Sequence, residues 1–174
     1  VEAGRFSTST TDTAFDVVSF RAQFRQAPVV VAAVNSFNDG TAVTSRVDNV
    51  SATNFEYQMQ EQEDSDQIHG DEDIGYIAWE PSSGSTGDAV YEVGTTGDAV
   101  THDPYSLAFE STFSSAPVFL AGQQTRDGSD TANLRYQEKT ESFAGFLVDE
   151  EASQDSEVDH VTEDAGYISL LPNL

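Results

Sequence analysis

Two groups of acidic residues, each gathered around a histidine, recur along the chain in the same order. The first comprises Glu61, Glu63, Asp66, His69 and Glu72; the second comprises Asp149, Glu151, Asp155, His160 and Glu163. Carboxylates beside an imidazole can hold a divalent cation through oxygen and nitrogen ligands. They can also move protons or form an ion pair. The candidate metal ligands are Glu63, Asp66, His69 and Glu72, and Glu151, Asp155, His160 and Glu163. Sets so rich in oxygen suit Ca²⁺, and no other cofactor is called for. The ion pair is the favoured reading. The strand bearing Glu63 or Glu151 is expected to pair with the strand entering Gly75 or Gly166, and a His⁺–carboxylate contact would pin that hairpin. Recurrence does not separate these readings, because a structural pair would recur as well.

Sugar recognition is the other chemistry on offer. The apolar face of a pyranose stacks on an aromatic ring while polar side chains hold its hydroxyls. The candidate contacts are Phe37, Asp39, Arg46, Trp79, Arg126 and Arg135. Phe37 stands beside the turn-forming Asn38-Asp39-Gly40 and is expected to be exposed. Trp79 is the only tryptophan, and core packing is its favoured role. Arg46 and Arg135 are scarce cations in mid-strand. Each is expected to pair with a neighbouring strand's carboxylate, with a hydrogen-bonding fork for a sugar or uronate as the rival. Glycosidase chemistry needs two carboxylates at a set separation, but 31 acids supply any pair one cares to draw. There is no Gly-x-Ser-x-Gly, phosphate-binding loop, dinucleotide fingerprint or His-Glu-x-x-His. The chain is read as a non-enzyme. Asn49-Val-Ser51 is an N-glycosylation acceptor pattern.

The elements that must position these residues are also written twice. Phe20-x-x-x-Phe24-x-x-Ala27-Pro28 returns 89 positions later as Phe109-x-x-x-Phe113-x-x-Ala116-Pro117, and Arg46 falls on Arg135. His69-x-x-Glu72-Asp73 and Gly75-Tyr76-Ile77 return 91 positions later as His160-x-x-Glu163-Asp164 and Gly166-Tyr167-Ile168. Glu2-Ala-Gly4 answers loosely to Glu92-Val-Gly94. The local pattern is β. Val29–Val34 and Val118–Ala121 are apolar runs after a proline. Phe55, Tyr57 and Met59 alternate with polar residues, as in a half-buried strand, and Phe146-Leu147-Val148 is the counterpart. Asn38-Asp39-Gly40 and Asp127-Gly128 are predicted hairpin turns. The Gly/Ser/Thr/Asp-rich stretch 80–101 is predicted to be a linker running into the first strand of the second copy. It contains Thr86-Gly-Asp-Ala-Val90 and its echo Thr96-Gly-Asp-Ala-Val100. No ten-residue window has helical apolar spacing. The expectation is an all-β antiparallel sandwich of two copies, residues 1–84 and 85–174, with about six strands each and almost no helix. Phe20, Phe109, Tyr76 and Tyr167 should lie in the cores.

Composition bounds the partners. Seven Lys+Arg against 31 Asp+Glu give a net charge of −24, and Lys139 is the single lysine. Nucleic acid is excluded as a partner because phosphate binding needs a basic surface. Anionic membranes are excluded likewise, and no apolar run approaches the roughly 18 residues that read as a membrane-spanning helix. Acids spread along the whole chain with lysine nearly absent favour a surface adapted to high salt, where self-repulsion is screened. Dense Ca²⁺ binding is the rival. Hydrophobic content of 37% with 11 Phe argues for a folded core.

The order Phe20-x-x-x-Phe24-x-x-Ala27-Pro28-Val-Val-Val31, followed by Arg46-Val-Asp-Asn-Val-Ser-Ala-Thr-Asn-Phe55, resembles the H-type lectin domain. The likeness covers about 45 residues of each copy. It implies a small six-stranded antiparallel sandwich, often trimeric, that binds N-acetylgalactosamine and related sugars. The segment from Gln62-Glu63 through Gly75-Tyr76-Ile77 departs from that family. It is similar instead to modules appended to secreted polysaccharide-active proteins. No sugar-contacting motif of the lectins stands here, so the likeness implies fold and ligand class alone. The leading expectation is a non-catalytic, lectin-like adhesion or appendage module from a halophilic source. It would be extracellular, on a cell surface or on a virion, and would meet a glycan or glycosylated surface. A homo-oligomer, with a trimer favoured, or a larger assembly is expected. The alternatives are a ligand-free structural subunit of an extracellular assembly, such as a virion decoration, fibre or filament, and an accessory part of a polysaccharide-degrading enzyme. Specialised binding is expected where the copies differ: Trp79 against Leu170, Phe37 against Arg126, and Asn49 against Glu138.

Overall fold

A computed structural model describes residues 1–11 and 14–172. The apolar runs and alternating segments become strands, and there is no helix among the described residues. In the first half, β1 (Glu2–Thr8), β6 (Glu72–Trp79) and β3 (Val29–Val34) form one sheet in the order β1-β6-β3. A second sheet has the order β2-β5-β4, from β2 (Asp16–Ser19), β5 (Asn54–Glu61) and β4 (Val43–Asp48). In the second half, β7 (Ser82–Ser85), β8 (Ala89–Val100), β10 (Val118–Gln123) and β13 (Glu163–Pro172) give the order β10-β13-β8-β7. Strands β9 (Tyr105–Ala108), β11 (Ala132–Lys139) and β12 (Phe143–Glu150) give β11-β12-β9. All pairings are antiparallel. Apart from β7, the two halves follow one strand order.

Alternation places one face of each sheet inward. Phe6, Phe20, Phe55, Tyr57, Ile74 and Tyr76 join the two sheets of the first half, with Phe6 edge-on to Tyr57 at 5.0 Å between ring centroids. Leu107, Phe119, Phe146, Val148 and Tyr167 do the same in the second half. The loose match of Glu2-Ala-Gly4 with Glu92-Val-Gly94 has a packing cause. Gly4 lies opposite Tyr76, and Gly94 opposite Tyr167. A Cβ on Gly4 would stand 2.3 Å from the Tyr76 ring, and one on Gly94 would stand 2.8 Å from the Tyr167 hydroxyl. With no side chain there, each tyrosine crosses the glycine. Its hydroxyl donates to Glu2 at 2.7 Å or to Glu92 at 2.9 Å. Each glutamate also accepts from a backbone amide beyond the Phe20 or Phe109 strand end, Arg21 at 3.0 Å and Ser111 at 2.6 Å.

Three local expectations are corrected. The stretch 80–101 is largely strand, because β7 and β8 form a hairpin. Of the two echoed pentapeptides, the first makes the β7–β8 turn. The second lies within β8, where Gly97 takes φ 68° beside a register shift against β13, a bulge that glycine tolerates. Asn38-Asp39-Gly40 and Asp127-Gly128 are not hairpin turns. Strand β3 pairs with β6 and β4 with β5, so the β3–β4 loop crosses from one sheet to the other, as does the β10–β11 loop. Finally, β5 is buried on both faces. Gln58 and Gln60 point away from Phe55, Tyr57 and Met59, yet are covered. The cover is the second half: Gln60 Nε2 donates to the Ser129 carbonyl at 2.6 Å.

The halves are joined closely. Val29 packs with Val93 and Ile168 on the outer face of the β10-β13-β8-β7 sheet, flanked by Val31, Trp79 and Tyr91. The Gln124 carboxamide accepts from the Val30 amide and donates to the Val30 carbonyl, both at 2.8 Å. It thus pairs with the free edge of β3 as another strand's peptide group would. A Cβ on Gly166 would meet Val29 Cγ1 at 2.8 Å, so glycine is what lets this edge approach.

Candidate functional site

Two buried acid–histidine–acid sites occupy matching places. In the first half, Glu61 ends β5 and Glu72 begins β6, strands that belong to different sheets. His69, on the connecting loop, lies between them. Its Nδ1 meets Glu61 Oε1 at 2.8 Å, and its Nε2 stands 3.5 Å from Glu72 Oε1. In the second half, His160 Nδ1 meets Glu150 at the end of β12, and Nε2 meets Glu163 Oε1 at 3.0 Å at the start of β13. The strands bearing these acids do not pair, contrary to the expected hairpin. The histidine ties one sheet of each sandwich to the other.

The crossing loops complete the sites. Glu72 accepts from the Ser36 hydroxyl and from the amides of Asn38 at 2.7 Å and Asp39 at 3.0 Å. Glu163 accepts from the Thr125 hydroxyl at 2.5 Å and from the amides of Asp127 at 3.1 Å and Gly128 at 3.0 Å. Asn38-Asp39 and Asp127-Gly128 therefore serve as amide donors to a buried carboxylate.

The second site carries one further partner. Arg46, on β4 of the first half, reaches across so that Nη2 lies 3.1 Å from Glu163 Oε1 and Nη1 lies 3.4 Å from the Asp130 carbonyl. Both side chains of this pair are fully buried. Burial draws the Arg46 guanidinium below its ordinary pKa, and the Glu163 carboxylate opposes that. Burial pushes Glu163 up, but hydrogen bonds from His160, Thr125 and Gly128 and the Arg46 charge outweigh it, so its pKa is lowered. For His160, burial favours the neutral ring. The hydrogen bonds to Glu163 and Glu150 outweigh it, and the pKa is raised. An imidazolium satisfies both carboxylates at once, since both ring nitrogens then donate. Hydrogen bonds from Ser36, then from Asp39 and Asn38, hold Glu72 below the usual carboxylate range.

The remaining residues of the sequence-derived metal set lie in loops, mostly at the junction of the halves. Glu63 accepts from the Thr131 amide at 3.3 Å, and Asp66 accepts from the Ile68 amide at 3.1 Å. Glu151 accepts from the Glu63 amide at 2.8 Å, and Asp155 accepts from the Glu157 amide at 2.8 Å. Burial, and then the charges of Asp130, Glu151 and Asp155, raise the Glu63 pKa, so the junction is crowded with negative charge. Among the described residues, Asp130, Glu150 and Glu157 can bring three carboxylate oxygens within 4.8 Å. Glu61 and Glu150, the acids that hold the histidines, are absent from the candidate ligand set. The available signal for them was their shared place at the end of the alternating strand, at the same offset of 89.

The candidate sugar contacts are dispersed. Arg46 is consumed by Glu163, and Trp79 is half-buried at the junction with its ring 5.1 Å from Tyr91. Arg126 Nη2 donates to the Ser129 carbonyl at 3.3 Å, and Arg135 pairs with Asp149 at 2.9 Å in solvent. Phe37 is 83% exposed. Asp39 accepts from the Thr41 amide at 3.2 Å and the Gly70 amide at 3.1 Å. Phe37 and Asp39 line a cavity of about 300 Å³ with Gly40, Thr41, His69 and Glu72. His69 Nε2, buried, has no hydrogen-bond partner among the described residues, with Glu72 Oε1 3.5 Å away.

No family model matches the chain. No solved structure matches it either. Over 172 residues, 97% of this chain, it is 26% identical to halomucin of Haloquadratum walsbyi (strain DSM 16790 / HBSQ001). The chain spans 2% of that protein's length, so what it is similar to is a short stretch of halomucin.

Proposed function

We propose that this chain is a non-catalytic structural module of a salt-adapted extracellular or surface protein, two sandwich units locked into one body. The observation that carries the reading is the buried Arg46–Glu163 pair, which joins residues 117 positions apart and fixes the units in one orientation. A buried ion pair is a poor source of net stability but a good source of register. The net charge of −24 and the similarity to a stretch of halomucin support the salt-adapted, extracellular part. His69 and His160 are enclosed between carboxylates, which suits holding sheets together better than exchanging protons with a substrate.

Glycan binding is the second reading, favoured by the cavity in which exposed Phe37 stands beside Asp39 and Glu72. Its support is the resemblance to the H-type lectin domain and an aromatic next to carboxylate acceptors. A glycan array probed in molar KCl separates the two. The structural reading expects no glycan to be retained. A glycan held by the parent protein and lost in Phe37→Ala would overturn it in favour of the sugar.

A further inference from the structure

The contact between the halves joins equivalent positions at Thr44–Asn133 and Asp64–Ser153, but it is one-sided at Arg46 and Val29. Under a two-fold relation every cross-contact would have a mate, and Arg46–Glu163 would be matched by Arg135–Glu72. It is not: Arg135 lies with its side chain 71% exposed, paired to Asp149 on its own sheet. The apolar contacts tell the same story. Val29, fully buried at the junction, corresponds to Val118, which is 52% exposed, and half-buried Val31 corresponds to Leu120, which is 42% exposed. On the receiving side, buried Val93 and Ile168 correspond to Ala3 and Ile77, both open to solvent. The first half thus presents an edge to a face of the second half. Although β10 runs beside β3 at Gly122, the second half keeps Val118 and Leu120 of that edge open, and beside junction residues Val31 and Trp79 the first half keeps Ala3 and Ile77 of that face open.

The cavity described above is the first half's counterpart of the place where Arg46 enters the second half. Its floor, Glu72 with the crossing-loop amides, is the counterpart of the Glu163 site that Arg46 fills. Thr41, on its wall, is the counterpart of Asp130, whose carbonyl receives Arg46. Asp39 adds a second carboxylate where the other half has Gly128. We propose that this cavity is a socket for a guanidinium, and that its occupant is Arg135 of a second copy of this chain. Val118 and Leu120 of that copy would pack on Ala3 and Ile77. The contact is head-to-tail, a repetition between chains of the junction already present within one. It goes beyond the structural reading above and does not depend on it. Each chain carries −24, so the contact forms where salt screens the repulsion.

The test is sedimentation velocity in molar KCl over a range of protein concentration, with melting curves to show that each variant is folded. The parent chain is expected to self-associate. Leu120→Asp damages the edge and Ile77→Asp damages the face, so each alone is expected to be monomeric. Mixed, they should form a one-to-one complex, because one variant retains the edge and the other the face. Arg135→Glu should weaken association of the parent at least tenfold. A parent chain that is monomeric throughout, or folded single variants that do not complement when mixed, would overturn the proposal. Neither result would touch the structural reading of the single chain.

Discussion

Arg46 and Arg135 occupy matching places in the repeat, so replacing each by methionine isolates the effect of burial. Arg46→Met removes the cation from a fully buried pair and leaves Glu163 charged in the interior. Removing one partner of a buried pair costs about 3–5 kcal/mol, because the remaining charge lacks compensation. Here Glu163 keeps Thr125, two loop amides and His160, so the lower end applies, about 3 kcal/mol. Methionine recovers part of the packing volume. For a chain of this size about 1 kcal/mol moves the midpoint by about 2–4 °C, so a fall of about 6–12 °C is expected. Arg135→Met breaks a solvent-exposed pair, worth at most about 1 kcal/mol and further screened by salt, so its midpoint should move by only a few degrees at most. The assay is thermal unfolding followed by circular dichroism in molar KCl, with Glu163→Gln in the Arg46→Met background. The double variant should recover stability, since the neutral amide no longer needs a counter-charge. Equal effects at the two arginines, or a double variant no better than Arg46→Met, would refute the reasoning.

The remaining predictions concern pH and the β3 edge. His160 has a raised pKa in the folded chain, so its contribution is complete below the unfolded value of 6.5. It is lost as pH rises through the higher folded value. Glu163 has a lowered pKa, so its contribution is present above the unfolded value of 4.5 and is lost as pH falls through the folded one. The melting midpoint should therefore decline on the alkaline side of 6.5, and that decline should flatten in His160→Asn, measured by calorimetry across pH. At the junction, Gln124→Ala leaves the buried Val30 amide and carbonyl without partners. The cost should be about 2–4 kcal/mol, with hydrogen exchange at the Val30 amide accelerated. Gln124→Glu should be no milder, because a carboxylate faces the Val30 carbonyl with a second acceptor.

Much of the fold was legible because strand patterning is local. The post-proline apolar runs and the alternation through Phe55-Tyr57-Met59 marked strands, and the structure forms them as β3, β10 and β5. Of the four aromatics expected in the cores, Phe20, Tyr76 and Tyr167 are buried, while Phe109 is half-buried and packs against its core from the side. Pairing was less legible. Asn38-Asp39-Gly40 has hairpin chemistry, but which strands hydrogen-bond depends on distant partners, and the loop crosses between sheets instead. The polar stretch 80–101 read as a linker because its alternation is weak, and it is held as strand by pairing with β13.

The recurring histidine and its following glutamate stood out from sequence alone, because their spacing is fixed in both copies. The sequence by itself determined a β architecture, a strongly acidic composition, and two histidines each set among carboxylates. Only the tertiary structure decided what those carboxylates do. Side chains at one repeat position met different surroundings: Arg46 entered the Glu163 site and lost its water, while Arg135 stayed in solvent beside Asp149. The reason is geometric. A pattern with period two states which face of a strand a side chain takes, but not whether another unit covers that face, and in this chain the one-sided packing of the halves sets that burial.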